Sequence, residues 1–264
     1  MSILARTLFG LVLASALAAA ARRARSLTPS GALAAVVVGT VACAAGLPWA
    51  ATLLAFFVSS SLLSRWRMGA KQRLTQSVVA KAGARDAGQV LANGGVFAVA
   101  ALGMIVQPSP GWMLAGLGAL AAATADTWAT EIGTAIGGTP RTVLGWRPVP
   151  AGTSGAVTWV GTAAMCAGAL FLGTVAAFSG FPHSSVAPVV LGGIGGALVD
   201  TWVGATMQER RWCARCQRET ERLVHHCGAS TEWRGGLARL DNDVVNLTSC
   251  IAGAAIALAV WRLR

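Results

Sequence analysis

LGALAAATADTW (117–128) and LGGIGGALVDTW (191–202) are two copies of one pattern, 74 residues apart, with 6 of 12 aligned positions identical. Each is a glycine- and alanine-rich apolar run that ends in an aspartate, Asp126 or Asp200. The runs have the composition of membrane helices, in which small residues let backbones approach closely. An ionisable residue at the end of such a run is costly in hydrocarbon and marks a functional position.

The rest of the chain has the same character. It is 55% hydrophobic and 12% charged, with a mean hydropathy of +0.61. Soluble domains carry about 25% charged residues, so the composition excludes an ordinary soluble enzyme. The net charge of +11 would point to nucleic acid in a soluble protein. Here the basic residues cluster between apolar segments, and no nucleic-acid partner is expected. The predicted fold is an all-α polytopic membrane bundle, a single domain over 1–264.

A span needs about 20 apolar residues. Eight candidates occur: 3–21, 29–46, 48–64, 88–107, 111–136, 155–178, 187–207 and 242–261. Basic residues follow the first run instead of preceding it, so it reads as a retained helix and not as a signal peptide. The second and third spans form a hairpin about Gly46-Leu47-Pro48. The segments after spans 1, 3, 5 and 7 contain 18 of the 21 lysines and arginines. The segments after spans 2, 4 and 6 contain none. The positive-inside rule then places the four basic segments in the cytoplasm and both termini outside. A multi-pass protein of the cell membrane is expected.

This topology runs the two DTW spans in the same direction, as an internal parallel repeat. At 1.5 Å per residue, Asp126 lies about 22 Å and Asp200 about 20 Å into their spans. In a core of about 30 Å both sit nearer the cytoplasmic boundary. Three further sets of polar residues converge on that layer. Asp86, Gln89 and Asn93 share one helical face at the start of the fourth span. Glu131 follows Asp126 in the fifth. Asp243 and Asn246 open the eighth. One reading is helix caps and interhelical hydrogen bonds. The other is a hard divalent cation such as Mg2+, which takes oxygen ligands beside substrate phosphates.

The loop before the sixth span contains Gly152-Thr153-Ser154-Gly155. Its N–H groups and the helix start could cradle an anion, with Arg141 adding a charge-assisted contact. The G-x-x-x-x-G-K-[ST] phosphate loop is absent. In the last cytoplasmic loop, 209–240, Cys213 and Cys216 have C-x2-C spacing, followed by His225, His226 and Cys227. Cys213, Cys216, His225 and Cys227 suit a structural Zn2+. The alternative is free thiols with a structural histidine.

Several stretches together carry a resemblance. RDAGQVLANGG (85–95), ADTWATEIG (125–133), TPR (139–141), VPAGTSG (149–155), VDTWVGATMQ (199–208), HHCG (225–228) and LDNDVVN (240–246) resemble the transmembrane protein 19 family over nearly the whole chain. Plant members of that family include the phytyl-phosphate kinase of tocopherol synthesis. More distantly the chain is similar to membrane kinases and cytidylyltransferases that use CTP. The resemblance implies transfer of a phosphoryl group from CTP or another nucleotide to an isoprenyl monophosphate.

On that expectation Asp126 and Asp200, with Glu131, hold Mg2+, while Asn93 and Asn246 help to orient phosphates. Arg141, Gly152, Thr153, Ser154, Gly155, Asp86, Gln89 and Asp243 form the nucleotide site. The rival classes are a secondary transporter, which also uses repeats and buried carboxylates, and a non-catalytic membrane scaffold. Transporter sites lie near the midplane, whereas this acidic layer is off-centre.

Overall fold

The computed structural model describes residues 2–81 and 83–263. Eight long helices and one short one account for most of them: α1 (Ile3–Arg23), α2 (Pro29–Ala45), α3 (Leu47–Arg65), the short α4 (Met68–Thr75), α5 (Ala87–Val106), α6 (Pro110–Ile136), α7 (Trp159–Phe178), α8 (Val186–Thr206) and α9 (Asn242–Arg262). Each expected span has a helix. The protein is a polytopic helical membrane protein, and six of its described helices are long and apolar enough to cross a bilayer. The other two long helices differ in kind. α2 has only 17 residues. α6 has 27, with Thr124, Asp126, Thr127, Thr130 and Glu131 in its second half.

Sequence punctuation accounts for the helix starts. Thr28, Ser109 and Thr158 each accept a hydrogen bond from the backbone N–H three residues on, as N-caps do. The α2–α3 hairpin turns on Gly46, at φ 135°, a conformation that side chains disfavour. Short strands occur only in the two longest connections among the described residues. β1 (Arg141–Thr142) pairs with β2 (Ala156–Val157). β3 (Arg210–Cys213) is the centre of an antiparallel sheet with β4 (Arg218–Thr220) and β5 (Glu232–Gly235).

α6 is the axis of the bundle and packs against α3, α5, α7, α8 and α9. Leu114 and Gly116 through Ala125 are all buried. A helix shielded this way meets little lipid, so it tolerates polar residues that an outer helix could not. α1 shows the opposite case: Leu4, Leu8 and Val12 are more than half exposed, as a lipid-facing flank should be. Below the cap of α6, Trp49 packs against Phe97 and Phe181 and fills the space left by Gly116, where an added Cβ would stand 2.6 Å from its ring.

Glycine makes the central crossing possible. A Cβ on Gly253 of α9 would stand 2.6 Å from the Gly118 carbonyl oxygen and 2.7 Å from Ala122 Cβ, both on α6, and 3.2 Å from the Gly192 carbonyl oxygen of α8. The Ser249 hydroxyl donates to the Gly196 carbonyl at 2.9 Å and ties α9 to α8 at the same level. Gly253→Leu is expected to abolish the monodisperse detergent-solubilised species in size-exclusion chromatography. Gly95→Ala, where an added Cβ meets nothing within 4 Å, leaves the elution profile unchanged.

Candidate functional site

The ends of α1, α3, α6 and α8 and the starts of α5, α7 and α9 meet around one cavity of about 1540 Å³. These are the helix ends that the distribution of basic residues assigns to one side. Asp126 and Asp200 both line it, with Gln89 and Asn93 from α5 and Asn246 from α9. The two DTW copies therefore converge, and their carboxylates lie within electrostatic reach of each other.

The pair is poorly compensated. Neither aspartate forms an ion pair among the described residues. Asp200 Oδ2 is buried without a hydrogen-bond partner. Two carboxylates within electrostatic reach in a low-dielectric layer repel and lose hydration, a cost that either a proton or a bound cation would relieve. Carboxylate oxygens at an orphaned buried position fit a hard divalent ion.

Glu131, Asp86 and Asp243 differ in that each is paired with a lysine, although Asp243 Oδ1 is also buried without a hydrogen-bond partner. Glu131 pairs with Lys71 of α4 and accepts from the Ser64 hydroxyl at 2.6 Å. Lys71, itself buried, also donates to the Leu63 and Ser64 carbonyls. Asp86 is the N-cap of α5 in a capping box with Gln89, so the capping reading describes it. Its carboxyl is held below the usual range first by the Gln89 N–H and then by Lys81. Asp243 lies 2.5 Å from Lys81 Nζ, and Gly88 provides the space in which its carboxylate meets α5. Burial works against the Lys81 charge, but the bonds to Asp243 and Asp86 outweigh it and keep its pKa above the ordinary value.

The Gly152–Gly155 loop borders the cavity but does not form the start of α7. β2 intervenes, and Thr158 caps the helix. The loop instead packs on α8: a Cβ on Gly204 would stand 3.1 Å from Gly155 N. The Ser154 hydroxyl donates to Glu221 Oε1 at 2.5 Å, and Gln208 Nε2 donates to the same oxygen at 2.9 Å. Burial raises the Glu221 pKa despite these donors. Arg141 is not brought to the cavity. Its guanidinium donates to the Trp146 carbonyl at 2.8 Å within its own loop. The cavity's cations are Lys71, Lys81, Arg85 and Arg222 among others, and sequence reasoning had not singled these out. Each lies outside the spans, and each has a partner at least 21 positions away: Glu131 for Lys71, Asp243 for Lys81, Ser64 for Arg85 and Val79 for Arg222.

Around Glu221, the polar connection between α8 and α9 folds into the β3–β4–β5 sheet. Ligand atoms of Cys213, Cys216, His225 and Cys227 all lie within 4.8 Å of one another. His226 packs against His225 with ring centroids 4.1 Å apart and the rings tilted by 53°, and it is not in the group of four.

Fold and site define a class: a helical membrane protein with a half-buried acidic pair in a cation-ringed cavity at one end of its bundle. The chain belongs to the family described as integral membrane protein DUF92, whose model matches residues 12–254. It is 30% identical to "Protein PGR" of Arabidopsis thaliana, with 93% of each chain aligned. It is also 27% identical to an uncharacterized membrane protein of Methanocaldococcus jannaschii, over 99% of this chain and 97% of that one. A third relative, an uncharacterized membrane protein of Synechocystis, is 30% identical over 93% of this chain and 86% of its own. No solved structure matches.

The Lys71–Glu131 pair offers a direct test of the cavity's architecture. Removing one member of a buried pair leaves an uncompensated charge. Lys71→Met is expected to cost about 3 kcal/mol of stability, read as a lowered melting temperature in detergent. Lys71→Met combined with Glu131→Gln recovers most of that loss, a coupling that a double-mutant cycle isolates.

Proposed function

We propose that the protein is a membrane kinase that transfers the terminal phosphoryl group of a nucleoside triphosphate, CTP by family resemblance, to an isoprenyl monophosphate. The observation that carries this reading is the Asp126–Asp200 pair, half-buried and without a counter-ion among the described residues, in a cavity ringed by lysine and arginine. A phosphate-bearing ligand would meet the cations, and a divalent ion would meet the carboxylates. The cavity volume of about 1540 Å³ exceeds the roughly 300–1,000 Å³ of single-ligand sites and is enough for a nucleotide and a lipid headgroup together. We place the cavity at the cytoplasmic face, where the basic segments belong.

Phosphoryl transfer relies mainly on positioning and charge neutralisation. Bound Mg2+, held by Asp126 and Asp200, would supply neutralisation of phosphate charge. Asn93 and Asn246 line the same cavity as these carboxylates, where their amides would orient phosphate oxygens. Arg85 and Arg222, which line the cavity without an ion pair among the described residues, would present positive charge to the incoming anions. The oxygen of the acceptor monophosphate forms the new P–O bond. The bond between the terminal phosphorus and the bridging oxygen breaks, and the nucleoside diphosphate leaves with the electron pair. The acceptor is already ionised at neutral pH, so no general base is required. The isoprenoid tail would lie against the apolar helices while its phosphate reaches the polar layer.

Membranes containing the protein are expected to convert labelled CTP and isoprenyl monophosphates to diphosphates. Asp126→Asn and Asp200→Asn should each lower the rate about 100-fold or more, the scale of losing one electrostatic partner of the transition state, with unchanged melting temperatures. Absence of diphosphate with every nucleotide tried, from folded wild-type protein, overturns the reading.

A further inference from the structure

The loop between α8 and α9 holds a second cluster of chemistry, separate from the acidic pair. Cys213 ends β3, and Cys216 lies in the tight turn to β4, where Gln217 takes a left-handed φ of 52°. His225 and Cys227 sit in a second turn, closed by the Gly228 N–H to the His225 carbonyl at 2.8 Å, with Gly228 at φ 83°. The two turns face each other and direct four soft donors to one point.

The spacings are those of a metal shell. Zn–S bonds of about 2.3 Å at a tetrahedral centre put two sulfurs about 3.8 Å apart. Cys213 Sγ and Cys227 Sγ are 3.7 Å apart. His225 Nδ1 is 3.3 Å from Cys227 Sγ, which makes Nδ1 the ligand atom. A disulfide needs an S–S bond of about 2.05 Å, and all of these cysteines are free. The cluster also sits deep for such polar groups: Cys213 is fully buried and His225 is 2% exposed. A 28-residue stretch from Glu209 to Gly236 with three short strands has little apolar core of its own, and small modules of this kind depend on a metal to fold.

The same sheet forms part of the cavity wall. The Glu221 N–H donates to the Val78 carbonyl at 2.9 Å, and Arg222 Nε donates to the Val79 carbonyl at 2.9 Å. Glu221 then receives the Ser154 hydroxyl. β4 is thereby fixed between the α4–α5 connection and the Gly152–Gly155 loop.

We infer that Cys213, Cys216, His225 and Cys227 bind one structural Zn2+, and that this metal holds the β3–β4–β5 sheet in place as a wall of the acidic cavity. The metal takes no part in phosphoryl transfer, and its binding does not depend on the kinase reading. His226, on the outer side of His225, is not a ligand.

The test uses the full chain in detergent under reducing conditions. Elemental analysis is expected to give one zinc per chain. X-ray absorption should show three sulfurs at about 2.3 Å and one nitrogen at about 2.0–2.1 Å. Cys213→Ser and Cys216→Ser lose the zinc, and His226→Ala keeps it. Should the cysteine variants fail to fold, Co2+ substitution of wild-type protein gives the same answer through its thiolate charge-transfer bands. Chelation should make residues 209–236 sensitive to protease while far-UV circular dichroism retains the helical signal. Wild-type protein without zinc after dialysis against Zn2+, or a shell of oxygen and nitrogen only, overturns the metal site. Unchanged protease resistance after complete zinc removal overturns the wall.

Discussion

The close crossing of α6, α8 and α9 is the constraint on which the rest of the structure depends. Gly118, Gly192, Gly196 and Gly253 remove the side chains that would hold these helices apart. Their backbones can then approach as small-residue membrane interfaces do. The consequence is chemical as well as mechanical. Asp126 and Asp200 lie one to two turns beyond these contacts on α6 and α8, so close packing of the helices brings the carboxylates into one layer. A looser crossing would let lipid or water separate them. The shielding that permits Thr124 and Asp126 to interrupt α6 comes from the same neighbours.

Around that pair, charge is arranged in shells of decreasing availability. Glu131 is neutralised by Lys71, and Asp86 and Asp243 share Lys81. These three acids shape the wall. Asp126 and Asp200 are left without a cation among the described residues. The asymmetry also separates the two repeats: Glu131 of the first copy aligns with Ala205 of the second, and Ala205 packs against Gly155. One copy supplies an anchor for α4, and the other supplies a seat for the Gly152–Gly155 loop.

Much of this was legible in the chain because it is periodic or local. Alternating basic segments marked which helix ends share a side, and those ends do meet at the cavity. The DTW copies marked the acidic pair. The C-x2-C spacing marked the cluster that the fold assembles. The Gly46-Leu47-Pro48 hairpin appeared where the glycine and proline placed it. What escaped detection depends on contacts between distant residues. Lys81 meets Asp243 across 162 positions, and Ser154 meets Glu221 across 67. No local pattern marks either. α4 was also missed, since eight residues, four of them polar, leave no hydropathy signal. Asp86 and Gln89 could have been recognised as a capping box from D-x-x-Q preceding an apolar run. Arg141 was assigned to phosphate by proximity in sequence, but the β1–β2 pairing turns it toward Trp146.

The central claim is that Asp126 and Asp200 form the cation-dependent half of a nucleotide site. Thermal shift of the purified protein, with several nucleoside triphosphates in the presence and absence of Mg2+, tests it most directly. A ligand at 100 times its dissociation constant stabilises by about 2.7 kcal/mol. The account predicts a rise in melting temperature that needs Mg2+ and nucleotide together and disappears in the Asp126→Asn/Asp200→Asn double variant. A nucleotide shift that persists without Mg2+ and in that double variant, or no shift with any nucleotide, would contradict it.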